Sequence, residues 1–320
     1  MYQKVIILLI CLTSVIFSEE TLSDKVIVGV VQYSFSQNPE ENQRKAIYFI
    51  QEAAKKNAKI ILLPELYNSH YFCQEENPKY FDLAEPLQGK TYQTFSKLAK
   101  KLNVTILIPF FEKRAPGIYH NSIMIIKNTG ELVGSYRKMH IPDDPLYYEK
   151  FYFTCGDLGY KVFPIDNLKI STFICWDQWF PEVARIACLQ GSECLFYPSA
   201  IGWHPKEKEL YGACQKDSWI TIQRSHAIAN GVYVVCSNRV GLEKIVPCSD
   251  GIEFWGSSFI CDPYGQILAQ ASIDKEEVII AEIDLKLLET ARRNWPFFRD
   301  RRPETYIPIT KLFIDEVYEH

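Results

Sequence analysis

Short runs of residues that would be apolar on both faces of a strand recur along the chain, and this limits its fold more than any other feature. Val26 to Gln32, Ala58 to Pro64, Val104 to Phe111, Ile170 to Ile174, Leu195 to Tyr197 and Tyr233 to Ser237 are such runs. A strand apolar on both faces needs a packed layer on each side. Pro39 to Lys56 supplies one covering element, a helix with Ala46, Ile50, Ala53 and Ala54 on one face. Thr91 to Leu102 supplies another. His120 to Lys127 and Glu131 to Lys138 flank the turn Asn128-Thr129-Gly130 and read as a hairpin. A second strand pair brackets Asp166-Asn167, and Ser257 to Cys261, Ile267 to Ala271 and Val278 to Ile283 are later strands. The mixture of hairpins and β-helix-β units, with no Gly-, Ser- or Pro-rich linker, predicts one α/β domain whose helices cover its sheets.

At 320 residues, 47% hydrophobic and with a formal charge of −4, the chain has an ordinary globular composition and lacks the basic character of a nucleic-acid binder. Its ten cysteines show no CxxC or His/Cys ligand spacing, which argues against a zinc site and against a small disulfide scaffold. Lys4, the apolar run Val5 to Phe17 and the polar end from Ser18 read as a signal peptide over residues 1–18, which predicts the secretory pathway; unused, the same chain would stay cytoplasmic. Removing it takes Cys11 and leaves nine cysteines, so at least one thiol is unpaired within the chain. The sequon Asn103-Val104-Thr105 abuts a strand.

The strand Ile170 to Ile174 stops at Cys175, and a helix start follows: Pro181 suits a first turn, Glu182 favours the positive helix end, and Gly191 suits the stop. A thiol between a strand end and a helix faces N–H groups that stabilise a thiolate. A lone cysteine there is as readily a small buried hydrophobe. Glu65 follows Ile60-Ile61-Leu62-Leu63-Pro64, where a carboxylate losing solvent becomes a useful base; it reads equally as a solvated strand exit. Lys138 closes the strand Leu132 to Arg137 and by itself could be a surface lysine.

The surroundings of these three residues make the set specific. Leu62 to Gln74 (LLPELYNSHYFCQ), Tyr136 to Pro142 (YRKMHIP) and Ile174 to Glu182 (ICWDQWFPE) resemble the three signature segments of the nitrilase, or carbon–nitrogen hydrolase, superfamily. The resemblance runs from about residue 25 to 306, leaving 307–320 as a tail. Within the superfamily the segments YFCQ, EKFYF (Glu149 to Phe153), GSSFI (Gly256 to Ile260) and FRDRRPE (Phe298 to Glu304) are most similar to those of the N-carbamoylputrescine amidases. The resemblance implies a single-domain, four-layer α-β-β-α sandwich and a catalytic set carried onto Glu65, Lys138 and Cys175, with Glu149 as a second glutamate. It also implies homo-oligomers formed through the C-terminal region, where Arg299 to Arg302 would be ion-paired at an interface.

An amide or ureido carbon is a poor electrophile and needs a strong nucleophile, oxyanion donors and a proton for the leaving amine. On this reading Cys175 attacks, Glu65 moves the proton, and Lys138 with the Trp176 N–H stabilises the oxyanion; Glu149 holds Lys138 or orders the water. No metal or organic cofactor is required. Tyr71, Tyr148, Trp176 and Trp179 are expected to line the pocket. Members acting on carbamoyl amino acids place Arg or His soon after the cysteine, whereas Asp177, Gln178 and Trp179 stand here, which favours an uncharged or amine-bearing tail. His204, in PSAIGWHP, occupies a place where the putrescine-type enzymes usually have a glutamate for the distal ammonium. The expected partner is thus a small N-carbamoyl amine or amide and no nucleic acid. Another amide, nitrile or ureido acid as substrate, and a non-catalytic scaffold, are the alternatives. A papain-like site would need a histidine base, and His140, His204 and His226 lack that context.

Overall fold

Residues 24–314, apart from 246 and 248, are described by a computed structural model; the predicted leader lies outside the described residues. Along the first half run β1 (Lys25–Gln32), α1 (Pro39–Lys55), β2 (Ile60–Leu62), α2 (Lys90–Leu102), β3 (Thr105–Ala115), β4 (Ile118–Ile126) and β5 (Leu132–Arg137). The second half adds β6 (Phe163–Ile165), β7 (Leu168–Thr172), α3 (Pro181–Leu189), β8 (Cys194–Pro198), β9 (Gly202–Trp203), α4 (Lys208–Asn230), β10 (Tyr233–Ser237), β11 (Val240–Glu243), β12 (Ile252–Trp255), β13 (Phe259–Cys261), β14 (Ile267–Gln270), β15 (Glu277–Asp284) and α5 (Leu285–Asn294).

Two six-stranded sheets result, ordered β15-β1-β2-β3-β4-β5 and β14-β13-β10-β8-β7-β6. Each has three parallel strands at its centre, β1-β2-β3 and β7-β8-β10, flanked by antiparallel ones. Alternation along β1 explains the layering. Val26, Val28 and Val30 join a core with Phe163, Ile165 and Ile170 of the second sheet, while Val31 faces a second core with Phe49, Ile50 and Ala53 of α1 and Phe95 of α2. The second sheet packs its other face on α3 and α4 through Val183, Ala187, Trp219 and Ala227. The order is therefore helices, sheet, sheet, helices, the four-layer sandwich that the resemblance implied.

Local chemistry sets the helix positions. The Asn38 side chain accepts from the N–H groups of Glu40 and Glu41, and Pro39 opens α1. A Cβ on Gly29 would lie 3.0 Å from that of Ala58 and 3.3 Å from that of Ala53, so glycine lets α1 approach β1 closely.

Two expectations change. The strand β2 covers only Ile60–Leu62 and β7 ends at Thr172; Leu63 and Phe173 still donate to the carbonyls of Leu107 and Phe196, at 3.2 and 2.9 Å, and the chain beyond them leads to Glu65 and Cys175. The longest helix, α4, and the small sheet β11-β12-β9 were not legible. The buried face of α4 is half polar, with Gly212, Trp219, Gln223, His226, Ala227 and Asn230, while Leu210 and Tyr211 are exposed; no apolar stripe appears. All eight cysteines among the described residues are free thiols, five more of them buried besides Cys175.

Candidate active site

Three strand ends meet at one place. β5 runs antiparallel to β4, and β4 antiparallel to β3, so β5 points the same way as β2 and β3. Glu65 lies just beyond β2, Lys138 directly follows β5, and Cys175 lies just beyond β7. Glu149 opens a single-turn helix, Glu149–Phe151, in the loop after β5. Glu65, Lys138 and Glu149 are 0% exposed and Cys175 5%.

The Lys138 ammonium bridges the two carboxylates, 2.9 Å from Glu65 Oε1 and 2.6 Å from Glu149 Oε2. Asn121 Nδ2 donates to Glu65 Oε1 at 2.7 Å, and the Tyr71 hydroxyl donates to Glu149 Oε1 at 2.7 Å. Behind them lies Arg239, fully buried, which donates to the carbonyls of Glu65 (2.8 Å) and Leu66 (3.0 Å) and to Glu243 Oε1 (3.0 Å). Glu243 Oε2 in turn accepts the Tyr71 N–H at 2.7 Å. The contacts close a ring: Glu65, Lys138, Glu149, Tyr71, Glu243, Arg239 and back to the Glu65 carbonyl. Burying such charges is tolerable only when each is paired and hydrogen-bonded. Burial alone would lower the Lys138 pKa, but Glu149 and Glu65 outweigh it and hold the ammonium well above its ordinary value. Burial raises the Glu149 carboxyl, against the opposing pull of Lys138.

Cys175 has φ +45°, in the left-handed region, and Leu66 beside Glu65 has φ +51°. Strain of this kind persists only where the surroundings enforce it. Asp177 is the enforcing group at the thiol. Its carboxylate accepts from the Ile174 N–H (3.0 Å), the Tyr136 hydroxyl (2.8 Å) and the His140 N–H (3.0 Å). Gln178 Oε1 accepts from Ser199 and from Trp219 of α4, at 3.1 and 2.9 Å. Asp177 and Gln178 are thus buried staples of the turn, and of the three residues that follow Trp176 only Trp179 lines the cavity described below. Burial, then the Glu65 charge, pushes the Cys175 thiol well above its ordinary pKa despite Lys138. This direction favours the thiol over the thiolate, so a base is needed to take the proton when the sulfur attacks.

A cavity of about 470 Å³ opens from Cys175 and Glu149 to the surface. Trp176, Trp179 and His204 line it as expected. Tyr71 and Tyr148 do not: Tyr71 is wholly buried behind Glu149, and the neighbour Tyr147 takes the wall position. Asp144 and Glu207, which the sequence reading missed, stand at the mouth, and the lining contains no Lys or Arg. Tertiary packing of α4 decides this, and no local pattern announces it. Asn121 and Arg239 did leave a signal, as polar residues within the apolar runs IYHNSIMII and YVVCSNRVG. Among the described residues no group of three or more His, Cys, Asp or Glu side chains is arranged to hold a metal ion.

Residues 27–293 match the family described as carbon-nitrogen hydrolase. The chain belongs to that family. This carbon–nitrogen hydrolase is 44% identical to the N-carbamoylputrescine amidase of Arabidopsis thaliana over 286 residues, 88% of this chain and 94% of that protein. It is 42% identical to a citrullinase of Francisella tularensis over 289 residues, 89% of this chain and 98% of that one. The crystal structure of a carbon-nitrogen hydrolase from Helicobacter pylori G27 superposes with a TM-score of 0.87 at 44% identity, covering 91% of this chain and all of that one.

Proposed function

We propose that this carbon–nitrogen hydrolase cleaves the carbamoyl C–N bond of an N-carbamoyl amine, with N-carbamoylputrescine as the fitting compound. The observation that carries the reading is the Glu65–Lys138–Glu149 charge set beside Cys175 at the floor of a cavity whose mouth holds carboxylates and no cation. Cys175 Sγ attacks the carbamoyl carbon while Glu65 takes the thiol proton and delivers it to the departing amine nitrogen. Lys138 and the Trp176 N–H, in the first turn of the short helix Cys175–Trp179, stabilise the oxyanion. Glu149 holds Lys138 in place. A water that gives its proton to Glu65 then releases the carbamoyl group, the proton returns to sulfur, and carbamic acid falls apart into carbon dioxide and ammonia.

Glu207 and Asp144 favour a distal ammonium at the mouth, and Trp179 and Trp255 offer it aromatic faces. The carboxylate absent at His204 thus reappears three residues later. A ureido acid finds no Lys or Arg for its carboxylate among the lining residues, which disfavours it. Ammonia release from N-carbamoylputrescine, absent in Cys175→Ser, is the expected outcome. Equal or faster release from 4-ureidobutyrate would overturn the choice of tail, and release that survived in the variant would overturn the thiol mechanism.

The C-terminal region supports a homo-oligomer. Ile307, Ile309, Leu312 and Phe313 are 65–106% exposed, beside an apolar groove of about 620 Å³ lined by Arg185, Ile186 and Leu189 of α3. Arg299 and Arg302 pair with the adjacent Asp300 and Glu304, so their charge is already offset before any partner docks. Light scattering should give a multiple of the chain mass, reduced by Ile307→Asp with Ile309→Asp; an unchanged mass would exclude this face.

A further inference from the structure

The Glu65 carboxylate is bonded on one oxygen only. Asn121 Nδ2 and Lys138 Nζ both donate to Oε1, at 2.7 and 2.9 Å, while Oε2, equally buried, has no partner. Asn121 lies in β4 opposite Phe111 of β3, is 0% exposed, and its carbonyl accepts the Lys138 N–H at 2.9 Å. One residue therefore holds the side chain of the base and the backbone of the cation. Its own Oδ1, an acceptor, also lacks a hydrogen-bond partner among the described residues.

We propose that Asn121 is a positioning residue that makes Oε2 the oxygen of Glu65 exchanging protons with Cys175 and with the leaving nitrogen; this rests on the amidohydrolase reading above. Two donors on Oε1 fix the carboxylate plane and lower the basicity of that oxygen. Oε2 keeps its lone pairs for a donor that arrives with the reaction, first the thiol and then water. Buried polar atoms normally find partners, and an acceptor left open beside a reaction centre is explained by such a role. Asn121 lines no part of the cavity, so it acts through Glu65 and Lys138 rather than on substrate.

The groups facing Glu65 are Lys138 after β5, Glu149 and Tyr147 from the following loop, Tyr71 and Cys73 from the loop after β2 and Cys175 from the turn after β7, with Arg239 on its backbone. Among these, Lys138 alone is a charged donor to the carboxylate. Asn121 is the one neutral donor. Removing it leaves Lys138 as the single donor to Oε1, so the carboxylate plane is free to turn and Oε2 is no longer held for the reacting proton.

The test is kcat and KM, measured separately at one pH, for Asn121→Leu and the conservative Asn121→Gln against the wild-type chain, with N-carbamoylputrescine as substrate. In Asn121→Leu kcat should fall about 10- to 100-fold while KM stays within about twofold, and Asn121→Gln should recover part of the loss. Rates are referred to the folded fraction of each variant, read by circular dichroism, so partial misfolding does not imitate the effect. An unchanged kcat in Asn121→Leu overturns the proposal, and so does a change confined to KM. A wild-type chain inactive on every carbamoyl compound would instead sink the parent reading and this one with it.

Discussion

The floor and the mouth of the same cavity are built on opposite principles. At the floor Glu149 lines the cavity beside Cys175, and behind it Lys138, Glu65, Arg239 and Glu243 are withdrawn from water and joined with Glu149 and Tyr71 in a closed ring. At the mouth, Glu207 and Asp144 are exposed, and among the described residues neither side chain makes a hydrogen bond or ion pair. Groups that stabilise developing charge must be in place before the reaction, because reorganising them at that moment would cost rate. Groups that choose among substrate tails need only be of the right charge and within reach. On the proposed function, reaction type is held in the ring and substrate choice is left to side chains that the fold does not constrain.

If that division holds, substitutions at the two ends should fail differently. The largest effect belongs to the floor: Glu65→Gln should lower kcat by about 10²- to 10⁴-fold with KM little changed, measured as ammonia release under saturating substrate. A small loss there would mean that another group moves the proton. At the mouth, Glu207→Gln should raise KM for an ammonium-tailed substrate by about three- to tenfold and leave kcat alone, with the difference shrinking in high salt because the group is exposed. The smallest effect is expected from His204→Glu, a gain in affinity of a few fold, since Glu207 already supplies a carboxylate nearby. A loss of kcat at either mouth position would break the comparison.

Legibility followed the same division. Glu65, Lys138 and Cys175 stand at the ends of apolar strands, so a local pattern pointed to each, and the surrounding motifs joined them. Glu149 came only through the resemblance, because a glutamate in an aromatic loop has no local mark. The strands and the first two helices were legible because their buried faces are apolar. α4 was not, since the polar side chains of Gln223, His226 and Asn230 lie on its buried face and erase the stripe. Glu207 depends on where α4 begins, and so was lost with it. The part Asp177 plays in holding the turn was not legible for a related cause: its partners Tyr136 and His140 are distant in sequence.

The pairing of β1 with β15 sets a condition on how the chain comes to be made. Lys25 to Gln32 lie against Asp284 to Glu277 along their whole length, and the adjacent β2 covers only Val28, Gly29 and Val30 on the other edge. At about 5–20 residues per second on the ribosome, the first strand emerges on the order of ten to fifty seconds before its last partner. During that interval an apolar strand has an open edge, a template for wrong pairing between nascent chains, and six thiols destined for burial remain reachable by oxidants. The yield of active protein should therefore depend on what shields the first strand while synthesis of the last is still under way.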